Sequence, residues 1–245
     1  GKINDKQDAA QKASEYFDLA IKENHFEVLL EKADTGRILA RLKQEGITLC
    51  QDLFDVQKRS KFTPYLLEAK IGESEIKPMS LEFDGKKVEL KGTIDRVDVL
   101  GDKFVIIDYK TYKSADLPLK ELYCGQKIQL YVYMRAVEKS INATPCGVFY
   151  FPVFSSFTDE DGNRYKYKGQ ACDSRETLGL MDEMTLSNPD CAIVPYKTDR
   201  KGENLNPEIH LSKEGFDALG DYAVAIAGEG ASKIAEGYIK PSPLK

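Results

Sequence analysis

Asp95, Asp108 and Lys110 stand around a Gly101-Asp102 pair in a stretch that is otherwise strongly apolar. Val88, Leu90, Ile94, Val97 and Val99 lead into that pair, and Phe104, Val105, Ile106 and Ile107 lead out of it. Lys87–Lys110 therefore reads as a β-hairpin closed by a two-residue, Gly-led turn. In that register Leu100 faces Lys103, Asp95 faces Asp108, and Thr93 faces Lys110. Facing side chains lie on one side of the sheet with Cβ atoms roughly 4.5–5.5 Å apart. Alternation brings Lys110 to the same side and turns Tyr109 away. Two carboxylates so placed repel each other unless a cation lies between them. Mg2+ is such a cation: it typically takes one or two carboxylates and leaves its other positions to water and phosphate oxygens. With Lys110 supplying charge to a transferring phosphate, the expected chemistry is metal-assisted phosphodiester hydrolysis. From spacing alone, the trio reads equally as a surface ion cluster in which Lys110 offsets two aspartates.

The elements that must hold these residues are those of an α/β or α+β domain. Ala9, Ala13, Tyr16, Phe17 and Ala20 recur at helical spacing, and a second helix is expected over 35–58, with Gly46 as a possible break. This helical segment, 1–60, precedes an expected core at 61–245. Strands follow at 65–71 and 79–83, then the hairpin, a helix over 126–140 and an apolar strand over 147–154. A polar hairpin or loop is expected over 158–169, and a last helix over 212–236, capped by Ser212 and ending near Gly237.

Composition narrows the class. The chain has 245 residues, 42% hydrophobic and 31% charged, which is a globular profile and excludes disordered and fibrous classes. No run approaches the roughly 20 apolar residues of a membrane span. The formal net charge of -5 argues against a general nucleic-acid coat protein. Yet residues 86–140 carry 11 Lys and Arg against 8 Asp and Glu, the one net basic third of the chain. The 5 cysteines are widely spaced with no C-x-x-C, which disfavours a zinc or iron–sulfur site and fits a reducing, cytoplasmic setting. No G-x-x-x-x-G-K-[ST] phosphate loop occurs, so any ATP dependence must come from elsewhere.

Three segments together resemble a known family. Gly92-Thr93-Ile94-Asp95, Asp108-Tyr109-Lys110 and Gln129-Leu130-Tyr131-Val132-Tyr133 are similar to the G-x-x-D, D-Y-K and Q-x-x-x-Y motifs of RecB-type nucleases of the PD-(D/E)XK superfamily. Phe62-Thr63-Pro64 with Glu68, and the closing 237–243, resemble the C-terminal nuclease domain of the AddB type. The resemblance implies a restriction-endonuclease-like core, a mixed central sheet flanked by helices. It implies that Asp95, Asp108 and the Tyr109 backbone carbonyl ligate Mg2+ or Mn2+, with Lys110 as the catalytic lysine. Gln129 and Tyr133, four apart on one helical face, would contact DNA or orient the catalytic groups. Glu68, Gln126, Asp98 and Arg96 are further candidates, although Arg96 is expected on the face opposite Asp95, where a structural ion pair would serve as well.

The implied activity is a DNA exonuclease domain of a helicase–nuclease in double-strand-break repair and recombination, with DNA and an AddA-type helicase subunit as partners and no membrane. Two departures qualify this. The family's metal-site His, in a G-x-x-x-H context, has no counterpart here, since His25 and His210 stand elsewhere. The iron–sulfur cluster of AddB-type domains also lacks its cysteines, so it is expected only in a full-length member. Both absences, with a leading Gly1 in place of Met, are what a domain excised from a longer protein would show. A DNA-binding or scaffolding module without chemistry, and a stand-alone exonuclease of the superfamily, are the alternatives.

Overall fold

The computed structural model describes residues 3–30, 33–73, 75–83, 85–111, 116–153, 165–238 and 240. The chain divides into two compact units, 1–60 and 61–245. The first is a pair of helices, α1 (Lys6–Glu23) and α2 (Ala33–Arg59), joined through a 3-10 turn at Phe26–Leu30. Asp5 caps α1 by accepting from the Asp8 amide at 2.8 Å, and Lys43 of α2 reaches Asp18 of α1 at 2.7 Å. The second helix runs unbroken through Gly46, where a break was open to it. A single glycine costs only about 1 kcal/mol, less than the packing along the pair returns.

The second unit is built on a six-stranded sheet. In chain order its strands are β1 (Thr63–Lys70), β4 (Thr93–Leu100), β5 (Lys103–Lys110), β6 (Thr144–Pro152), β7 (Lys168–Cys172) and β8 (His210–Leu211), and they lie side by side in that order. A separate two-stranded ribbon is made by β2 (Ser80–Phe83) and β3 (Lys86–Glu89). The β5–β6 and β7–β8 pairs are parallel and the rest antiparallel, so the sheet is mixed. Between β5 and β6 the chain crosses over through α3 (Leu119–Tyr123) and α4 (Gln129–Ile141), as a parallel pair requires. After β7 come α5 (Arg175–Met181) and α6 (Met184–Ser187), and α7 (Lys213–Ala235) closes the chain. Ser212 caps α7 by accepting from the Gly215 amide, and Gly237, at φ +75°, follows its end.

β5 lies in the middle of the sheet, and Phe104 to Asp108 are buried without alternation, the pattern of a strand covered on both faces. The expected hairpin register is found: Leu100 pairs with Lys103, Val97 with Ile106, and Arg96 with Ile107, around Gly101 at φ +58°. The long incoming arm, however, is two strands. It breaks at 90–92, where the Gly92 carbonyl accepts from the Ile71 amide and the Leu90 amide donates to Met79 in the ribbon. The polar 158–169 hairpin falls largely outside the described residues, as does Phe154 at the end of the expected strand.

Gly169 holds β7 against β6 in a conformation open only to glycine. Its φ is +148°, and a Cβ there would stand 2.1 Å from the Val148 carbonyl oxygen. Gly169→Ala is expected to cost on the order of 2 kcal/mol or more, read as a lower urea midpoint at constant slope.

Candidate active site

β4 and β5 place Asp95 and Asp108 on the same face, because Val97 and Ile106, two residues inward on each strand, are paired there. The paired ladder ends at Arg96–Ile107, and beyond it the Asp95 carboxylate takes over as partner, accepting from the Tyr109 amide at 2.8 Å. The Tyr109 carbonyl shares the side of its own amide, so it too is directed toward Asp95. Lys110 lies against the Oδ2 of Asp108, and its ammonium stands 4.7 Å from the centre of the Tyr150 ring, whose strand is next in the sheet.

Asp108 is the electrostatically costly member. Its side chain is 6% exposed, and the buried Oδ2 has Lys110 as its charged partner. Burial pushes its pKa above the ordinary carboxylate value; Lys110 pulls it down and Asp95 pushes it further up. A buried carboxylate met by one lysine, a second carboxylate beside it and a peptide carbonyl form a hard oxygen donor set that fits Mg2+ or Mn2+. Among the described residues no group of three or more His, Cys, Asp or Glu side chains is gathered for a metal. A metal held here would rest on two carboxylates plus backbone, a number magnesium commonly uses.

α4 brings the other expected pair to the same end of β4. Gln129 donates to the Tyr133 hydroxyl at 3.1 Å. The Tyr133 ring lies on Gly92, three residues before Asp95: a Cβ on Gly92 would stand 2.6 Å from the hydroxyl oxygen and 2.9 Å from Cε1. The glycine of the G-x-x-D segment thus has a packing reason.

Four further candidates stand apart from this cluster. Gln126 is not on α4, which starts at Gln129; it is exposed in the preceding turn, its amide bonded to the Glu121 carbonyl. Glu68 is exposed with a left-handed φ of +51° in the edge strand β1. Arg96 and Asp98 lie on the other face, where the guanidinium holds both carboxylate oxygens at 2.7 Å with little exposure, 13% and 6%. Burial works against the Arg96 charge, and Asp98 more than restores it. The same guanidinium reaches the Tyr109 hydroxyl at 3.5 Å, so the reverse of the strand is braced by a buried ion pair. Arg96→Ala would leave Asp98 charged and buried, and should lower stability by about 3 kcal/mol or more in urea unfolding. The double change to Leu at both positions should cost less than Arg96→Ala alone.

Sequence reasoning did not identify Tyr150, the ring under Lys110. It sits 40 residues from Lys110, and only the parallel β5–β6 pairing, with Asp108 beside Tyr150, brings the two together.

With the mixed sheet, the two carboxylates and the lysine in place, comparison with known proteins assigns the class. Residues 2–243 match the model of the PD-(D/E)XK nuclease superfamily, and the chain belongs to that family. Among curated proteins it is similar to the B subunit of the ATP-dependent helicase/deoxyribonuclease of Alkaliphilus oremlandii, 28% identical over 97% of this chain and 23% of that protein. The protein of the same name from Moorella thermoacetica is 27% identical, over 100% of this chain and 23% of its own length. That of Natranaerobius thermophilus is 32% identical over 74% of this chain and 18% of its length. The chain thus spans less than a quarter of the relatives it matches. No helix among the described residues is long and apolar enough to cross a membrane.

Proposed function

We propose that the 61–245 unit hydrolyses phosphodiester bonds in DNA with a bound divalent metal, Mg2+ or Mn2+, and acts as the exonuclease part of a helicase–nuclease. The observation that carries this is the buried Asp108 carboxylate on one face with Asp95, with the single Lys110 ammonium against it. Asp95, Asp108 and the Tyr109 carbonyl would hold the ion. Bound there, it would supply a Lewis acid for the phosphate and lower the pKa of a water. The chain's own residues do the rest. Lys110, fixed by Asp108 and the Tyr150 ring, presents a positive charge to the transferring phosphate. Tyr133, held by Gln129, offers a hydroxyl beside the start of β4 to orient the strand or its phosphate.

The relatives' shared name, that of a subunit of a helicase/deoxyribonuclease, supports DNA as substrate and a helicase as partner. The AddA type of that partner, the role in double-strand-break repair and recombination and the cytoplasmic setting are proposed on the motif resemblance and the cysteine usage. Digestion of an end-labelled single-stranded oligonucleotide with Mg2+ or Mn2+ tests the reading. Cleavage is expected with the native chain and not with Asp108→Ala. Metal binding without cleavage, even when the remainder of a full-length relative is supplied, would instead identify a DNA-binding module.

A further inference from the structure

A cavity of about 620 Å³ opens beside β7, lined by none of the residues of the site just described. Asp108 pairs across the sheet with Tyr150, and Tyr150 with Lys168, so the three occupy one rung of β5, β6 and β7. Facing residues share a face, which puts Lys168 on the side of Asp108 and Lys110, two strand spacings or about 10 Å away. Lys168 lines the cavity together with Lys120, Lys166 and Lys197. Asp116, Asp190 and Glu208 also line it, which leaves the lining net basic in a chain of net charge -5. Leu117 and Val194 contribute apolar wall, and the Tyr196 ring an aromatic one.

The floor is rigid. Gln170 is 2% exposed, accepts from the Tyr131 hydroxyl of α4 at 2.7 Å and donates to the Leu117 carbonyl at 2.9 Å. The helix that carries Gln129 and Tyr133 is thereby tied to the floor. β8 pairs with β7 only at Ala171 and Cys172, so along 168–170 this edge of the sheet faces the cavity rather than another strand.

We propose that this groove holds the single-stranded DNA on one side of the cleaved phosphate. The proposal rests on the nuclease reading for what happens at Asp108 and adds where the strand lies. The lysines meet successive phosphates while the apolar and aromatic walls receive bases, the combination that binds unpaired strands without reading sequence.

The test measures fluorescence anisotropy of labelled oligothymidylates of 2 to 12 nucleotides in chelator, with salt titrations, beside the cleavage assay. The variants are Lys120→Glu/Lys168→Glu/Lys197→Glu and its charge-neutral Met counterpart; all three lysines are exposed, and unchanged melting curves check the fold. Affinity for the 12-mer is expected to fall at least tenfold in the Glu variant and less in the Met variant, with the deficit growing with length. The slope of log affinity on log salt should shrink by about 2, three single-strand phosphate contacts. Equal affinity of native and Glu proteins for the 12-mer, or a deficit independent of length, would overturn the groove. Failure to cleave, even when the remainder of a full-length relative is supplied, while the native protein still binds through these lysines would overturn the nuclease reading and leave the groove standing. Cleavage without dependence on the lysines would do the reverse.

Discussion

Asp108→Asn is expected to lower cleavage by on the order of 10³-fold, about 4 kcal/mol in the barrier, and at the same time to raise the melting temperature of the metal-free protein at neutral pH. The two effects have one origin. The folded protein raises the pKa of Asp108, chiefly by burial, so it binds that proton more tightly than the unfolded chain does. Stability from this group is therefore highest at acid pH and is lost as pH rises through the raised value, above which the carboxylate is ionised and destabilising. Asn keeps the shape and removes the charge, so the penalty goes with it. The native protein should consequently gain stability on acidification through that raised value, and Asp108→Asn should gain less. A bound divalent cation removes the same penalty differently. At a hundredfold excess over its Kd it stabilises the native protein by about 2.7 kcal/mol, a rise of roughly 5 °C or more, and the variant should show almost none of it. Calorimetry with chelator, Mg2+ and Mn2+ reads all three effects. A native protein whose melting point ignores both ions would remove Asp108 from any metal site.

What the sequence could reveal was local. The hairpin register follows from Gly101-Asp102 and from two apolar arms, and it alone places Asp95, Asp108 and Lys110 on one face. Alternation likewise sends Arg96 to the reverse face, where it meets Asp98. The break at 90–92 was not legible, because there the backbone bonds to Ile71 and Met79, and the Tyr133 ring 41 residues further on lies against Gly92. Nor was the start of α4 legible: Gln126 fits the helical spacing, but its amide is taken by the Glu121 carbonyl at the end of α3. Glu68 shows the same limit, since a left-handed φ in an edge strand leaves no signal in an otherwise regular apolar pattern. The rung from Asp108 through Tyr150 to Lys168 joins three strands over 60 residues, and parallel pairing has no turn from which to read a register.

The contact between Gly92 and Tyr133 yields the second large effect. Gly92→Ala adds one methyl group where the Tyr133 side chain already stands, with its hydroxyl oxygen 2.6 Å and its ring Cε1 2.9 Å from the new carbon. Gly92 has no left-handed φ, so the backbone accepts alanine and the ring must move instead. Moving it pulls the hydroxyl from Gln129 and shifts the start of β4, three residues from Asp95. A displacement of about 1 Å at a catalytic group can cost 10²-fold, and a loss of that order is expected here. Tyr133→Phe keeps the ring and loses only the hydroxyl, so it should cost less. A double-mutant cycle separates crowding from a general loss of fold. In a Tyr133→Leu background the ring is gone, and Gly92→Ala should then add little to the loss already present. If instead the two losses multiply, Gly92 acts on the site by some route other than Tyr133, and the packing account of the G-x-x-D glycine is wrong.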